Sequence, residues 1–491
     1  MKVRYTILFL LLCSFLATSQ AVLPVISDPV SVTAGITTFG KHLPRVFTLA
    51  DGTVAVFWSK AGANSGIYMA KMENSAFGEV IEVPTGDLDP DIWSGGLGPG
   101  YAVFENSIYI TFEIWGEAIY MVKSDDGGLS FDPPVTVLVP PPGRVATLPA
   151  ITTDHDGNPI IGCITTNNSE QEARYEVVIS TDGGLTFGDP IDASFAADGE
   201  EVCECCPSSL LVSDQGDIFV SFRNNNSNVR DIWISRSNEE GTAFDDAVDV
   251  DETNWVIAGC PSTGPHSILA GSSIINVFYS AAQDWDVGVY LSTLDPVSLD
   301  VGQTLKLPYG GSGPATQNFP RIAGNSDTIG VVFQEHTGTF YNIAFSWSLE
   351  GVDGLLDEAM ILSDGSTPQN YADIHFSDTK FHIVYEDQAS ATPLYHSIHF
   401  ENATATVESS LKEEGFRIVP NPARDYFTIE SLNHKAESTL LEIISINGTI
   451  VQHKNFTGSS EVIDISDLES GLYLVKLSSK NKYWVERLLV Q

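Results

Sequence analysis

Five cysteines downstream of the N-terminal leader carry the least generic chemistry of this chain: Cys163, Cys203, Cys205, Cys206 and Cys260. Three of them sit in Cys203-Glu204-Cys205-Cys206-Pro207, and Cys260 opens Cys260-Pro261-Ser262-Thr263-Gly264-Pro265-His266. Three chemistries are open to them. In an exported protein such cysteines pair as disulfides, for example Cys260 with one member of the run and Cys163 with another. An odd count then leaves one thiol over. Thiolates joined by the imidazole of His266 or His42 would instead suit Cu(I) or Zn(II), since soft ligands select those ions. The C-x-C-C spacing is not that of a zinc ribbon. A nucleophilic thiol needs a neighbouring base and acid, and no such arrangement is legible around the run.

Export is written into the first residues. Met1–Ala21 runs from the basic Lys2 and Arg4 through an apolar stretch to a small, polar end, the order of a secretory signal peptide, with Cys13 inside the removed part. No other stretch is apolar over a spanning length. The chain has 491 residues and a formal charge of −40, from 64 acidic against 24 basic residues. Such a surface repels phosphate backbones, which argues against nucleic acid as a partner. A hydrophobic content of 43% is ample for a large core, and 41 Gly with 25 Pro point to a turn-rich, all-β chain.

The elements that must position the cysteines recur along the chain. Seven segments share one pattern: a polar or Pro-containing entry, a short strand, a turn, and an apolar strand ending in aromatics. They begin near His42, Gly98, Thr147, Cys205, Gly264, Asn318 and Asn370, roughly 50–58 residues apart. Weaker strands such as AIYMVKS, YEVVIST and DIWISRS follow. A repeat near 50 residues with four strands per unit predicts a β-propeller, in which each blade buries its faces only against its neighbours. Seven blades are expected, with six as the alternative. The stretch Val30–Ile36 could supply a strand that closes the ring. Strand entries and exits then converge on the channel mouth, which would gather all five sulfurs.

Two segments carry a further motif between third and fourth strands: Ser124-Asp125-Asp126-Gly127-Gly128-Leu129-Ser130-Phe131 and Ser180-Thr181-Asp182-Gly183-Gly184-Leu185-Thr186-Phe187, with a degraded version from Ser235 to Phe244. These resemble the Asp-box (BNR) repeats of sialidases and related propellers. The resemblance implies a fold role for Asp126 and Asp182, on outer hairpins away from the channel.

A sialidase also needs arginines to clamp a carboxylate, a Tyr nucleophile activated by Glu, and an acid/base. The family's Arg-Ile-Pro opening is matched here by His42-Leu43-Pro44, so His42 stands where the first clamp arginine is expected. Arg45 lies close, but a register shift would be required to aim it inward. Arg144, Arg223, Arg230 and Arg321 are the remaining clamp candidates, and Tyr371 with Glu335 or Glu386 the candidate nucleophile pair. His42 with Arg144, Arg223 and Arg321 is the expected substrate-binding set; Cys203, Cys205, Cys206, Cys260 and His266 form the expected metal set. Other rim candidates are Trp93 at an entry, and Lys60 and Glu113 at exits. The acidic loop Asp87-Leu88-Asp89-Pro90-Asp91 could take calcium.

The last segment differs in composition. Pro420-Asn421-Pro422, Ile446-Asn447-Gly448, and Leu468 with Gly471-Leu472-Tyr473 punctuate alternating apolar strands of a small β-sandwich. This segment resembles the C-terminal sorting domain of the type IX secretion system of Bacteroidota, which implies export across the outer membrane. The expected organisation is a signal peptide (1–21), a sialidase-like β-propeller (22–408) and a sorting domain (415–491). The expected function is binding or processing of glycans at or beyond the cell surface, with His42 arguing against standard sialidase activity. A copper or zinc propeller and a non-enzymatic adhesin are the alternatives.

Overall fold

The computed structural model describes residues 22–33, 43–60, 65–92, 98–199, 201–282, 286–311, 314–336, 338–356, 359–362, 367–390, 392–402, 416–431, 436–445, 450–458, 460–468, 471–479 and 482–490. The signal-peptide segment, His42, Trp93 and the 446–449 turn lie outside them. The chain divides into two compact units, Met1–Asn402 and Ala403–Gln491. Among the described residues no helix is long and apolar enough to cross a membrane.

Among the described residues the first unit has seven antiparallel sheets, and each of the seven sequence segments supplies the first two strands of one. The first strands are Arg45–Thr48, Gly100–Phe104, Arg144–Thr153, Ser209–Val212, His266–Ala270, Gln317–Gly324 and Gln369–Ser377. Each contacts the next, and the last contacts the first, so the strands form a closed ring around a central channel. The second strands are nearly continuous apolar runs because both of their faces are covered. In Val54–Lys60, six consecutive residues are buried.

Seven hydrophobic clusters fill the seven junctions between adjacent sheets. Phe57 and Phe112 pack between sheets one and two, Tyr175 and Phe222 between three and four, and Phe345 and Phe381 between six and seven. Each sheet is therefore half of two cores, and none could bury its faces alone. The ring is closed by the N-terminus. Val22–Ile26 is the outer strand of the seventh sheet and pairs antiparallel with Ile398–Asn402, while Val30–Ser31 pairs with Leu394 and Tyr395.

Asp126 and Asp182 sit on outer hairpins between third and fourth strands, beside the exposed Leu129 and Leu185. Asp126 Oδ1 accepts the Leu129 and Ser130 amides at 2.9 and 2.8 Å, and Oδ2 accepts the Ser130 hydroxyl at 2.6 Å. Asp182 repeats the set with Leu185 and Thr186. Gly128 and Gly184 hold φ of +83° and +90°, and methionines of the preceding sheet (Met69 and Met121) crowd the space a side chain there would fill. Hydrogen bonds to the charged form hold both carboxyls down at about 2, against an ordinary 3.8. Their stabilisation is thus complete above the unfolded value, near pH 4, and disappears as pH falls through about 2. A protein carrying D126A and D182A should therefore lose stability relative to wild type at pH 7, with the gap narrowing between pH 4 and pH 2. Denaturant melts across that range check it; a gap independent of pH would contradict it.

The second unit packs a three-stranded sheet (Phe416–Val419, Tyr426–Ser431, Ser460–Asp464) against a four-stranded one that ends in Lys482–Val490. Phe427, Ile429, Leu441, Ile443, Val475 and Leu488 form its core. The Pro420-Asn421-Pro422 motif has a structural task. Asn421 donates through Nδ2 to the Arg487 carbonyl at 2.6 Å and accepts the Leu489 amide at 2.9 Å, binding the segment to the last strand.

Candidate functional site

The channel is lined through a backbone device at the strand entries. Leu148, Phe319 and Tyr371 lie in bulges where pairing skips from Thr147 to Ala150, from Asn318 to Arg321 and from Asn370 to Asp373. Their φ values are +54°, +50° and +53°, and Leu43, before Pro44, is at +42°. These are uncommon for residues with a side chain and require support. The preceding sheet provides it: Glu113 accepts the Thr147 hydroxyl and Leu148 amide, and Gln334 accepts the Tyr371 amide at 2.9 Å. Pro149 and Pro320 have no N–H to lose within the bulge. The residue following the Pro (or Ala372) lines the channel in every sheet, namely Arg45, Gly100, Ala150, Ser208, His266, Arg321 and Asp373, and in sheets three, six and seven the bulge re-aims the strand that carries it.

The cavity they surround has a volume of about 420 Å³. In ring order, His266, Arg321, Asp373 and Arg45 form one contiguous charged and polar arc; Gly100, Ala150 and Ser208 form the opposite arc of small residues. Asp373 accepts the Val46 amide at 3.0 Å and lies 3.9 Å from Arg321 Nε. Arg321 has no hydrogen bond among the described residues. Burial, and then the neighbouring Arg45, pull its pKa down to about 9, against the opposing pull of Asp373; the guanidinium remains charged at neutral pH, with 27% of the side chain open to the channel. Arg45 donates Nη1 to its neighbour's carbonyl, that of Pro44, at 2.8 Å. His266 accepts the Ile322 amide on Nδ1 at 3.2 Å. Burial and the two arginines push its pKa well down, so it is neutral and carries its proton on Nε2. A second, smaller recess at the mouth is lined by Arg45, Arg321, Ser262, Thr263, Phe319 and Tyr371. There Phe319 and Tyr371 meet edge to face, with centroids 5.2 Å apart.

The structure sorts the sequence candidates. Arg321 lies in the channel. Arg45 joins it because the Leu43-Pro44 entry supplies the re-aiming that simple alternation lacks. Arg144 is not among the residues lining the channel: it donates to the Thr165 carbonyl and hydroxyl and to the Glu172 carbonyl within its own sheet. Arg223 is fully buried, donating to the carbonyls of Arg230, Thr263 and Tyr279, with its guanidinium 5.6 Å from the Trp255 ring centroid. It is a brace between sheets four and five, not a clamp. Glu335 is buried, and its carboxylate accepts the Gly310 and Gly311 amides and the Gln317 side chain. Glu386 is buried opposite Asn370. Of the proposed nucleophile pair, only Tyr371 lines a recess. Asp373 and His375 also line the channel, and no spacing marks them: a Pro stands two or three residues into six of the seven segments, but the seventh, which holds both residues, has Ala372 there.

The sulfurs converge in part. Cys205 and Cys260 form a disulfide between the entry loops of sheets four and five. Cys203 and Cys206 are buried thiols with Sγ atoms 3.1 Å apart, and Cys203 lies 3.8 Å from Cys205. All four Sγ atoms lie within 4.8 Å of one another, and this group does not include His266. Arg230 Nη1 donates to Cys203 Sγ at 3.0 Å. The Cys206 thiol, Arg223 and Arg230 together lower the Cys203 pKa against the effect of burial, while burial and the adjacent Cys203 raise that of Cys206. Cys163 stands apart, packed with Tyr109, Met121 and Ile161 in the core between sheets two and three, which corrects the expected five-sulfur cluster. In the acidic loop expected to take calcium, Asp89 accepts the Ser65 hydroxyl and Asp91 accepts the Trp115 amide.

Residues 417–491 match the family model described as the secretion system C-terminal sorting domain. This segment is a type IX sorting domain. The chain is therefore exported, to the cell surface or beyond it. None of the curated proteins matches the chain. Among solved structures, a Dyadobacter fermentans protein of unknown function is similar, with a TM-score of 0.47 and 16% identity over 67% of this chain and 99% of that one. Trypanosoma rangeli sialidase, in complex with the inhibitor DANA, gives a TM-score of 0.42 and 10% identity over 94% and 87%. A polysaccharide lyase, an ulvan lyase of family PL25, gives 0.45 and 10% over 74% and 94%.

Proposed function

We propose that this exported propeller binds the carboxylate of an acidic saccharide in its central channel. The observation that carries the proposal is the convergence of Arg45 and Arg321 in one cavity where, among the described residues, Asp373 is the single carboxylate. In a chain of charge −40, two of only 24 cations occupy this cavity. Guanidinium matches carboxylate in shape and charge, and a half-dehydrated site strengthens the bond. The cavity lies within the range of ligand pockets, about 300–1,000 Å³. Its small-residue arc leaves room for a sugar ring, and the aromatic pair Phe319–Tyr371 at the mouth offers a face for it. The Asp-box resemblance agrees with a glycan ligand. Binding rather than hydrolysis is the reading favoured, because Glu335 and Asp373 are already committed to backbone amides.

The test is calorimetric titration of the mature protein with acidic and matched neutral saccharides. Acidic ligands should bind, and Arg321→Ala should weaken them about tenfold to a hundredfold, the value of one charge-assisted hydrogen bond. Arg144→Ala should leave affinity unchanged. Equal binding of neutral sugars, or indifference to Arg321→Ala, would overturn the proposal.

A further inference from the structure

The four clustered sulfurs have no part in the channel reading, and their surroundings are those of a metal site. We propose that Cys203, Cys205, Cys206 and Cys260 together form a four-thiolate site for one divalent d10 ion of the zinc class, available once the Cys205–Cys260 disulfide is reduced. A zinc–sulfur distance of about 2.3 Å in a tetrahedron places sulfurs ~3.8 Å apart. Here Cys203 is 3.8 Å from Cys205 and 3.1 Å from Cys206, and all four Sγ atoms are within 4.8 Å of each other. Small rotations of the side chains would therefore suffice.

A divalent ion with four thiolates carries −2, and two buried guanidiniums stand beside it. Arg230 donates to Cys203, and Arg223 lies behind the same sulfurs with its Nε unpartnered, as is that of Arg230. Glu204, which pairs with Arg230 at 3.4 Å, and Asp231 and Asp251, which Arg223 offsets, are acidic groups of the surround. A monovalent ion would leave one more negative charge buried, so the cations present favour the divalent class over Cu(I). The N–H from Arg230 to a ligand sulfur is the outer-shell contact such sites use.

The chemistry balances. A small dithiol reduces the Cys205–Cys260 bond, becoming a cyclic disulfide and leaving two cysteine thiols. Zinc then displaces four protons from four thiols. Cys260 is the exposed member of the pair, so a reductant can reach it. Disulfide and metal are thus alternative states of one cluster, and the site reports the redox history of the exported chain.

The test compares oxidised and dithiol-reduced mature protein, each freed of excess reductant and titrated with Co(II) and then Zn(II). Reduced protein should take up one equivalent, with the sulfur-to-cobalt charge-transfer absorption of a tetrahedral thiolate site, and zinc should displace the cobalt. The oxidised protein should bind at least a hundredfold more weakly. Cys206→Ser should abolish the absorption while keeping the Cys205–Cys260 disulfide in the oxidised form; Cys163→Ala should change nothing. Thiol counting and far-UV circular dichroism show that each sample is reduced and folded, and the wild-type comparison stands even if Cys206→Ser fails to fold. Uptake below one-tenth of an equivalent by folded, reduced wild type would overturn the proposal, as would full uptake by Cys206→Ser.

Discussion

Gly264→Ala should cost the propeller about 3 kcal/mol or more, whereas Gly259→Ala in the same loop should cost less than about 0.5 kcal/mol. Here the entry loops of sheets four and five lie backbone against backbone. A Cβ on Gly264 would collide with the Pro207 carbonyl oxygen and stand 2.9 Å from the carbonyl carbon, both backbone atoms that cannot rotate away. Relief requires the two loops to separate. Separation would pull on the Cys205–Cys260 disulfide, on the bond from Arg223 to the Thr263 carbonyl, on Pro265 at the smaller recess and on His266 at the channel. A Cβ on Gly259, one residue from Cys260, meets nothing within 4 Å. Paired denaturant melts of the two variants check the contrast. Equal stabilities would mean that the loops are not held at this distance.

Much of this architecture is local chemistry, which is why it can be read from the chain. The seven turn-flanked strand pairs, the Asp126 and Asp182 hairpins and the Asn421 anchor each depend on residues a few positions apart. The channel is different. Which side chain faces it depends on a bulge at Leu148, Phe319 and Tyr371, and strict alternation from the strand entry selects the wrong residues. By that count Arg144 faces inward, yet it is spent on Thr165 and Glu172 of its own sheet, while Asp373 lies in the cavity. Arg223 shows a second limit. A cation at a strand end suggests a solvent-facing clamp, yet its three carbonyl partners come from three separate places in the chain, and no spacing connects them. The cysteines divide for the same reason. Cys203, Cys205 and Cys206 share a loop, so their grouping was legible, whereas Cys163 is placed by the packing of sheets two and three.

Arg223→Met and Arg321→Met should therefore have opposite consequences, although both residues are candidates for one clamp in the sequence. Arg223 is wholly buried, and truncating it would leave the carbonyls of Arg230, Thr263 and Tyr279 without their donor. It also offsets buried acids: Asp231, pushed up to about 7 by burial and by Asp251, is held back by Arg223, as is Asp251 itself. Breaking such a buried charge network costs on the order of 3–5 kcal/mol. The pH dependence follows from the same groups. An acid whose folded pKa is raised binds its proton more tightly in the native state than in the unfolded chain. Its penalty is absent below pH 4 and grows as pH rises toward 7, and Arg223→Met should steepen that decline. Arg321, by contrast, is a cation disfavoured by burial and by Arg45. Arg321→Met should leave stability unchanged or raised while weakening binding of acidic saccharides about tenfold to a hundredfold. Thermal melts between pH 4 and 7, alongside titration with ligand at pH 7, separate the two. Retained stability with lost binding in Arg223→Met would reverse the assignment of brace and clamp.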